Sequence, residues 1–354
     1  MKIAIVANWF LPVPPLKYGG TEQVIFYIIK GLIELGHEPI LIGTGDSDPG
    51  CVTIPIVNTA TYFPTSLEEK DRQLSNETEF KAKINKILYD LKDKVDIIHS
   101  HGFDLFDFQD FPNVTTLHGK VGFDNVDYFV KRKKFPYIAI SNNQQESLPE
   151  LNYVGVVYNG EDPKDFPIII EPDDYVCFLG RFDREKNPHL AIQLAINKRI
   201  KIKIAGKIDF QGSAYFEEEV KSYLDNPLVE YLGELNFVDK IKLLSHAKCN
   251  LHPTNFREPF GLTILEAAYC GTPTLAVARG SMPELIEEGR TGILVEDFVE
   301  GYAQLDIAFE LDRNYIATRS RALFNYQTMA KQYVKIYEKV IEDYEEMKRD
   351  ALFE

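Results

Sequence analysis

Positive charge is in short supply. The 354 residues include 39 Lys and Arg against 54 Asp and Glu, a formal charge of −15, and the excess of acid is spread over both halves. Such a surface repels a phosphate backbone, which argues against general nucleic-acid binding. Cysteine is scarce as well. Cys51, Cys177, Cys249 and Cys270 form no C-x-x-C or Cys/His cluster, so neither a disulfide framework nor a zinc site is expected. Reduced cysteines in a cytoplasmic protein are the expectation. Long apolar runs are missing too. Ile3–Ala7 behind Met1-Lys2 is too short for a signal segment or a membrane span. There is no G-x-x-x-x-G-K-[ST] motif, and so no support for a P-loop ATPase. Gly43-Thr-Gly45-Asp-Ser-Asp48 lacks the third glycine of a dinucleotide fingerprint and reads as a loop, which leaves a nicotinamide dehydrogenase weakly supported.

What remains is an ordinary soluble composition, 45% apolar and 26% charged, in a chain long enough for two domains. Short apolar runs alternate with helical patterns, as in parallel sheets covered by helices. In the first half the expected strands are Lys2–Ala7, Pro39–Ile42, Val95–Ser100, Val114–Leu117, Tyr137–Ile140 and Val154–Val157. The expected helices are Glu22–Leu35, ended by Gly36, then Phe80–Leu91, Asn125–Val130 and Gln144–Leu148. Asp162–Asp173, rich in proline and charge, reads as a linker. A second alternation gives strands Tyr175–Leu179, Ile200–Ala205, Val229–Leu232, Cys249–His252, Pro273–Val277 and Gly292–Val295. Its helices are His189–Lys198, Tyr215–Leu224, Val238–Ala247, Leu262–Tyr269 and Met282–Glu287. A last helix carries Tyr333, Ile336, Tyr337, Val340, Ile341, Tyr344 and Met347 in one stripe. The expected fold class is α/β, two Rossmann-like doubly wound domains. The first covers 1–162, with a helix over about 330–354 packing back across it. The second covers 163–329.

Ligands of doubly wound sheets sit at the C-terminal ends of strands, so function is sought in the loops that follow them. Gly19-Gly20 precedes a helix and allows a close backbone approach to an anion. His118-Gly119 closes one strand. His99 and His101 close another and, placed on opposite faces of it, are not expected to converge. Gly180-Arg181 and Lys186 put two cations in a loop before a helix that begins at Pro188, suited to a diphosphate. The most informative segment runs from Pro253 to Pro273. Glu258 precedes a helix N-terminus at Gly261, Leu262 and Thr263, whose N–H groups and dipole attract phosphate. Glu266 lies further along that helix. Paired acids beside a phosphate site suit sugar hydroxyls, provided cations balance them. Asp46-Ser-Asp48 has the form of a metal-holding pair, but two aspartates in a polar turn read as surface. Lys131-Arg-Lys-Lys134 is the one basic run and reads as a solvated helix end, allowing peripheral membrane contact at most.

These motifs, in this order, resemble the retaining glycosyltransferases of family 4, which have the GT-B fold with a central cleft. The match takes in Tyr18-Gly-Gly-Thr-Glu22, Asp96-Ile-Ile-His99, Thr116-Leu-His118-Gly119, Asn159-Gly-Glu-Asp162, Gly180-Arg181 with Lys186, Leu232-Gly233, Glu258-Pro-Phe-Gly with Glu266, and Gly280-Ser-Met-Pro-Glu284. Pro12 to Glu22 and Thr44 to Ser47 look most like the subgroup that includes the avilamycin-pathway enzyme. The resemblance implies a metal-independent transfer of a hexose, with retention, from a nucleotide-sugar to a hydroxyl acceptor. UDP-sugar is the expected donor and is a substrate, with no cofactor. It implies that Arg181 and Lys186 bind the diphosphate, Glu258 the sugar hydroxyls and Glu266 the ribose. Gly261, Leu262 and Thr263 would hold the distal phosphate. Gly19 and Gly20 would approach the donor from the first domain, and the base would lie between Lys207 and Leu232. His118 would contact the transferred sugar. The turn Lys207-Ile-Asp-Phe departs from a glycine-rich family pattern, so the base is not fixed by it. Within the fold, an epimerase or a phosphorylase is the alternative, the latter usually needing a pyridoxal lysine that is not marked here. A non-catalytic nucleotide-sugar binding protein and a metal-dependent GT-A transferase using Asp46 and Asp48 complete the alternatives.

Overall fold

Runs of β-branched and apolar residues three to seven long become strands, the inner ones buried on both faces, and the amphipathic stretches between them become helices. A computed structural model describes every residue except 64–65, 104, 123–124, 209–211 and 352–354. Two compact units emerge. One is formed by Met1–Pro15, Gly19–Glu161 and the C-terminal helix, the other by Leu16–Tyr18 and Asp162–Asn325.

The first unit contains β1 (Lys2–Val6), α1 (Gly20–Glu34), β2 (Glu38–Thr44), β3 (Val52–Val57), α2 (Leu67–Leu91), β4 (Ile97–Ser100), β5 (Asn113–Thr116), α3 (Val126–Val130), β6 (Tyr137–Ala139), α4 (Asn142–Glu146) and β7 (Tyr153–Val156). The strands form one parallel sheet in the order β3-β2-β1-β4-β5-β6-β7. The order reverses between β1 and β4, so the loops after these two strands diverge and leave a crevice at their C-terminal ends. Gly36, at φ 80°, ends α1 as a left-handed C′ residue.

In the second unit the elements are β8 (Tyr175–Leu179), α5 (Pro188–Lys198), β9 (Lys201–Ala205), α6 (Ser213–Tyr215), β10 (Val229–Tyr231), α7 (Phe237–His246), β11 (Cys249–His252), α8 (Leu262–Tyr269), β12 (Thr274–Val277), α9 (Met282–Leu285), β13 (Gly292–Val295), α10 (Gly301–Phe309) and α11 (Arg313–Leu323). The chain closes with α12 (Tyr326–Asp350), which belongs to the first unit. The second sheet is parallel, in the order β10-β9-β8-β11-β12-β13. Its reversal falls between β8 and β11, which brings the loop with Arg181 and Lys186 beside the loop with Glu258.

Four expectations change. β3 was not anticipated, because Val52–Val57 is interrupted by Pro55 and has only Ile56 fully buried. The helix expected over Phe80–Leu91 starts much earlier, at Leu67, where the Ser66 side chain accepts from the Glu69 N–H at 3.2 Å. Its first turns are polar and carry no apolar stripe to read. The helix expected over Tyr215–Leu224 is broken into α6, a π-helical turn (Phe216–Val220) and a 3-10 turn (Lys221–Tyr223). Finally, α10 and α11 follow β13, where no helix was expected. Within Asp162–Asp173, Phe166 is fully buried, its ring 5.0 Å from that of Tyr269.

On α12, Tyr333, Tyr337 and Val340 are buried, whereas Met347 is exposed. Burial therefore falls off along the stripe, with Tyr344 half-buried and its hydroxyl donating to the Asp110 carbonyl. Tyr326 stacks on Tyr27 of α1 with ring centroids 5.8 Å apart.

Candidate functional site

In the second unit, β8, β9 and β10 end side by side. Gly180 donates to the Ala205 carbonyl at 3.1 Å, Phe182 to Lys207 at 3.0 Å, and Gly206 to Gly233 at 2.9 Å. The approach at Gly206 is close. A Cβ there would lie 1.7 Å from the Gly180 oxygen, so no other residue fits. Arg181, Lys207 and Leu232 therefore share one sheet edge. The rest of the turn after Lys207 includes residues 209 and 210, which lie outside the described residues.

Across the reversal, β11 ends in His252, and the loop after it carries Glu258. Gly261, at φ 97°, caps α8, and the N–H groups of Leu262 and Thr263 open the helix without a preceding turn to accept them. The loop is braced from the next strand–turn–helix repeat. Ser281 donates its N–H to the Glu258 carbonyl at 3.0 Å, and Arg279 donates to the Asn255 carbonyl at 2.7 Å. At Gly280, with φ 63°, a Cβ would sit 2.3 Å from the Glu258 nitrogen. The glycine is what lets the two turns touch.

Each acid of this loop–helix element has a cation. Lys186 Nζ donates to Glu258 Oε2, and Lys240 Nζ donates to Glu266 Oε1. Glu266 is buried, and its other oxygen, Oε2, has no hydrogen-bond partner. His252 completes the group. Its Nε2 lies 2.8 Å from the Thr254 hydroxyl and 3.8 Å from Glu258 Oε2. Burial first, and then the Lys186 charge, hold His252 well below the usual histidine range, so it is neutral. Arg181 forms ion pairs with Asp183 at 3.2 Å and Glu185 at 3.8 Å. Of the cations expected to balance the acids, Lys186 is paired with Glu258. Lys240 and His252 were not anticipated. The position of His252 at a strand's C-terminal end could have marked it, whereas nothing local distinguishes Lys240 from other helix-surface lysines.

In the first unit, the crevice between β1 and β4 is built differently. Gly19 and Gly20 begin α1, and Gly19 packs so tightly on Pro15 that a Cβ would meet it at 2.6 Å. Glu22, buried in the first turn, accepts from Asn8 Nδ2 at 2.5 Å, and burial raises its pKa. His99, His101 and His118 form a stack at the ends of β4 and β5. The rings of His99 and His101 are 4.0 Å apart, which corrects the expectation that they diverge. Residues two apart along a strand share a face, and only adjacent ones alternate. His101 Nδ1 bonds His118 Nε2 at 2.8 Å, and His99 bonds the Thr116 hydroxyl at 2.7 Å and the Tyr337 hydroxyl at 2.6 Å. Burial lowers the pKa of all three, that of His118 to about 4. The stack is neutral at pH 7.

One proton is shared between His101 Nδ1 and His118 Nε2. His101 Nε2 is buried without a partner. An unfilled lone pair is tolerated there better than a stranded N–H. The proton therefore sits on His101 Nδ1, and His118 carries its own on Nδ1, as a hydrogen-bond donor.

The remaining candidates are not brought to either crevice. Asp46 and Asp48 are exposed, and Asp46 accepts from the Ala60 N–H at 3.1 Å, the role of a turn residue. Among the described residues no group of three or more His, Cys, Asp or Glu is placed to hold a metal ion. No helix among them is long and apolar enough to cross a membrane.

Comparison with known proteins decides the family. The model described as "Glycosyltransferase Family 4" matches residues 18–164, and that described as "Glycosyl transferases group 1" matches residues 161–322. The chain belongs to the family 4-like GT-B glycosyltransferases. It is 23% identical over 384 residues to a glycogen synthase of Mycobacterium tuberculosis, covering 92% of each chain. Among solved structures, a glycosyltransferase of avilamycin A biosynthesis superposes with a TM-score of 0.73 at 20% identity, over 96% of this chain and 98% of that one. An Anabaena protein solved with UDP and glucose gives 0.70 at 19% identity, over 95% and 98%. The expected fold and enzyme class are thus those of this glycosyltransferase, two Rossmann-like parallel sheets of the GT-B type. Identities this low carry the fold alone; the family rests on the two matched models, and neither fixes the donor or the acceptor.

Proposed function

We propose that this glycosyltransferase moves a sugar from a nucleotide-sugar, a UDP-sugar in the first instance, to an acceptor hydroxyl with retention and without a metal. The observation that carries the reading is the joining of three features at the β8/β11 reversal: the free N–H groups of Leu262 and Thr263, the Lys186–Glu258 pair, and the Lys240–Glu266 pair with one unbonded carboxylate oxygen. The solved neighbour that contains UDP and glucose supports the choice of donor.

In this reading the helix terminus and Lys186 take the distal phosphate, and Arg181 reaches the diphosphate from its loop. Charge develops on the diphosphate as the glycosidic bond breaks, and preorganised cations and N–H groups stabilise it without reorganising. Lys186 also offsets the charge of Glu258, which lets a carboxylate stand near phosphate and accept from sugar hydroxyls. The unbonded Glu266 Oε2 is suited to a ribose hydroxyl. Lys207 and Leu232, on the same sheet edge, flank the base. Retention has the acceptor hydroxyl attack from the face the diphosphate leaves, with a departing phosphate oxygen taking its proton. His118, neutral and donating through Nδ1, contributes a hydrogen bond and no base.

A thermal-shift panel of UDP-, GDP- and ADP-sugars, followed by NMR of the product anomer with and without EDTA, tests the proposal. Stabilisation by UDP-sugars and an EDTA-insensitive product of unchanged anomeric configuration are expected. An inverted product, or activity lost to EDTA, overturns the mechanism.

A further inference from the structure

The first unit contains a pocket of about 210 Å³ between β5, α3 and the residues just after β4. Its walls are dominated by Phe103, Val121, Tyr128, Phe129, Phe135 and Tyr137, and His101, His118 and Gly119 close one side. Tyr128 is half exposed and Gly119 is exposed, so the pocket reaches solvent beside them.

Several polar side chains in the wall are already paired within the protein. Asn113 donates to the Phe108 and Phe111 carbonyls at 2.9 and 2.8 Å. The Thr116 hydroxyl is shared between His99 and Tyr333, and His101 Nδ1 is held by His118. A free sugar filling this space would leave many of its own hydroxyls without partners, at a cost for each. An apolar ring carries no hydroxyls and avoids that cost. A cavity of about 150 Å³ with aliphatic and aromatic walls admits benzene, so this one has room for a six-membered ring with a short substituent.

We infer that the pocket receives an apolar, ring-sized part of the acceptor, whose hydroxyl lies at the His118 end. The inference rests on the glycosyl-transfer reading and adds the acceptor class: an amphiphilic alcohol or glycoside instead of a free sugar. The aromatic walls hold the remainder.

Gly119 supplies the means of testing it. A Cβ built there meets nothing within 4 Å, so Gly119→Phe adds an aromatic ring at the rim of the pocket without a clash at its Cβ. The affinities of phenyl β-glucoside and methyl β-glucoside are to be compared by calorimetry on the wild type and on Gly119→Phe, with melting temperature as the check on folding. The wild type is expected to bind the phenyl compound at least about tenfold more tightly, and Gly119→Phe to erase that preference. Equal affinities in the wild type, or a preference that survives in a folded Gly119→Phe, overturn the inference. Donor binding is scored separately with nucleotide-sugars. No donor shift at all removes the transfer reading and the acceptor role with it, whereas a donor shift with equal glucoside affinities removes the acceptor class alone.

Discussion

Two crevices of the same topological origin are furnished in opposite ways. At the β8/β11 reversal of the second sheet, lysines face carboxylates. Around the β1/β4 reversal of the first, three neutral imidazoles bond one another and nearby hydroxyls, and a buried glutamate of raised pKa accepts from Asn8. The difference matches two tasks. A diphosphate calls for fixed charge, and neighbouring acids become tolerable only when each has a cation. An alcohol calls for hydrogen bonds in dry surroundings, where an extra charge would be a burden. Topology decides where a crevice lies, and the side chains at the strand ends decide its chemistry.

The largest effect should come from the charged crevice. Glu258→Ala is expected to lower transfer by about 100-fold or more while nucleotide affinity stays within about threefold, read by steady-state assay and calorimetry. If transfer falls no further than nucleotide affinity does, the carboxylate is not acting on the sugar. Next is Lys186→Ala, which leaves the Glu258 carboxylate, 13% exposed as a side chain, without its cation. A loss of about 2 kcal/mol in denaturant unfolding is expected, together with lost donor turnover. Turnover that survives both Lys186→Ala and Arg181→Ala rules out the phosphate clamp.

The neutral crevice should show itself through pH. Burial depresses the folded pKa of the histidines, so the unfolded chain takes up protons first as the solution is acidified. Stability is then full above about 6.5 and is lost as pH falls toward the folded value, about 4 for His118. By pH 5 about 2 kcal/mol of stability is lost through His118, and His118→Gln should flatten the melting-temperature profile between pH 7 and 5. An unchanged slope contradicts a neutral buried stack. The smallest effect is expected from Tyr337→Phe, which strips one hydroxyl from His99 and should cost about 1 kcal/mol with little change in transfer.

Much of this was legible in the sequence because strand ends are marked. β8, β11, β13 and α8 fall on the residues expected, and Pro188 begins α5 as its fixed φ favours. The acids 258 and 266 could be read because glycine and proline punctuate the turn around them. Their cations could be read only in part. Lys186 lies in the same loop region as Arg181, but a helix lysine such as Lys240 gains meaning only when α7 packs beside α8. The histidine stack was hidden by a wrong assumption about strand faces. Tyr337, the hydroxyl partner of His99, and Tyr333, which bonds Thr116, lie more than 200 residues away, on a helix whose stripe revealed burial and nothing about bonding.

The central claim is that a nucleotide-sugar is gripped at the N-terminus of α8. A crystal structure of the protein soaked with UDP-glucose tests it most directly. The account predicts distal-phosphate oxygens within hydrogen-bond reach of the Leu262 and Thr263 N–H groups, with a ribose hydroxyl on Glu266. Density for the nucleotide-sugar anywhere else, with that helix end bare, would contradict it.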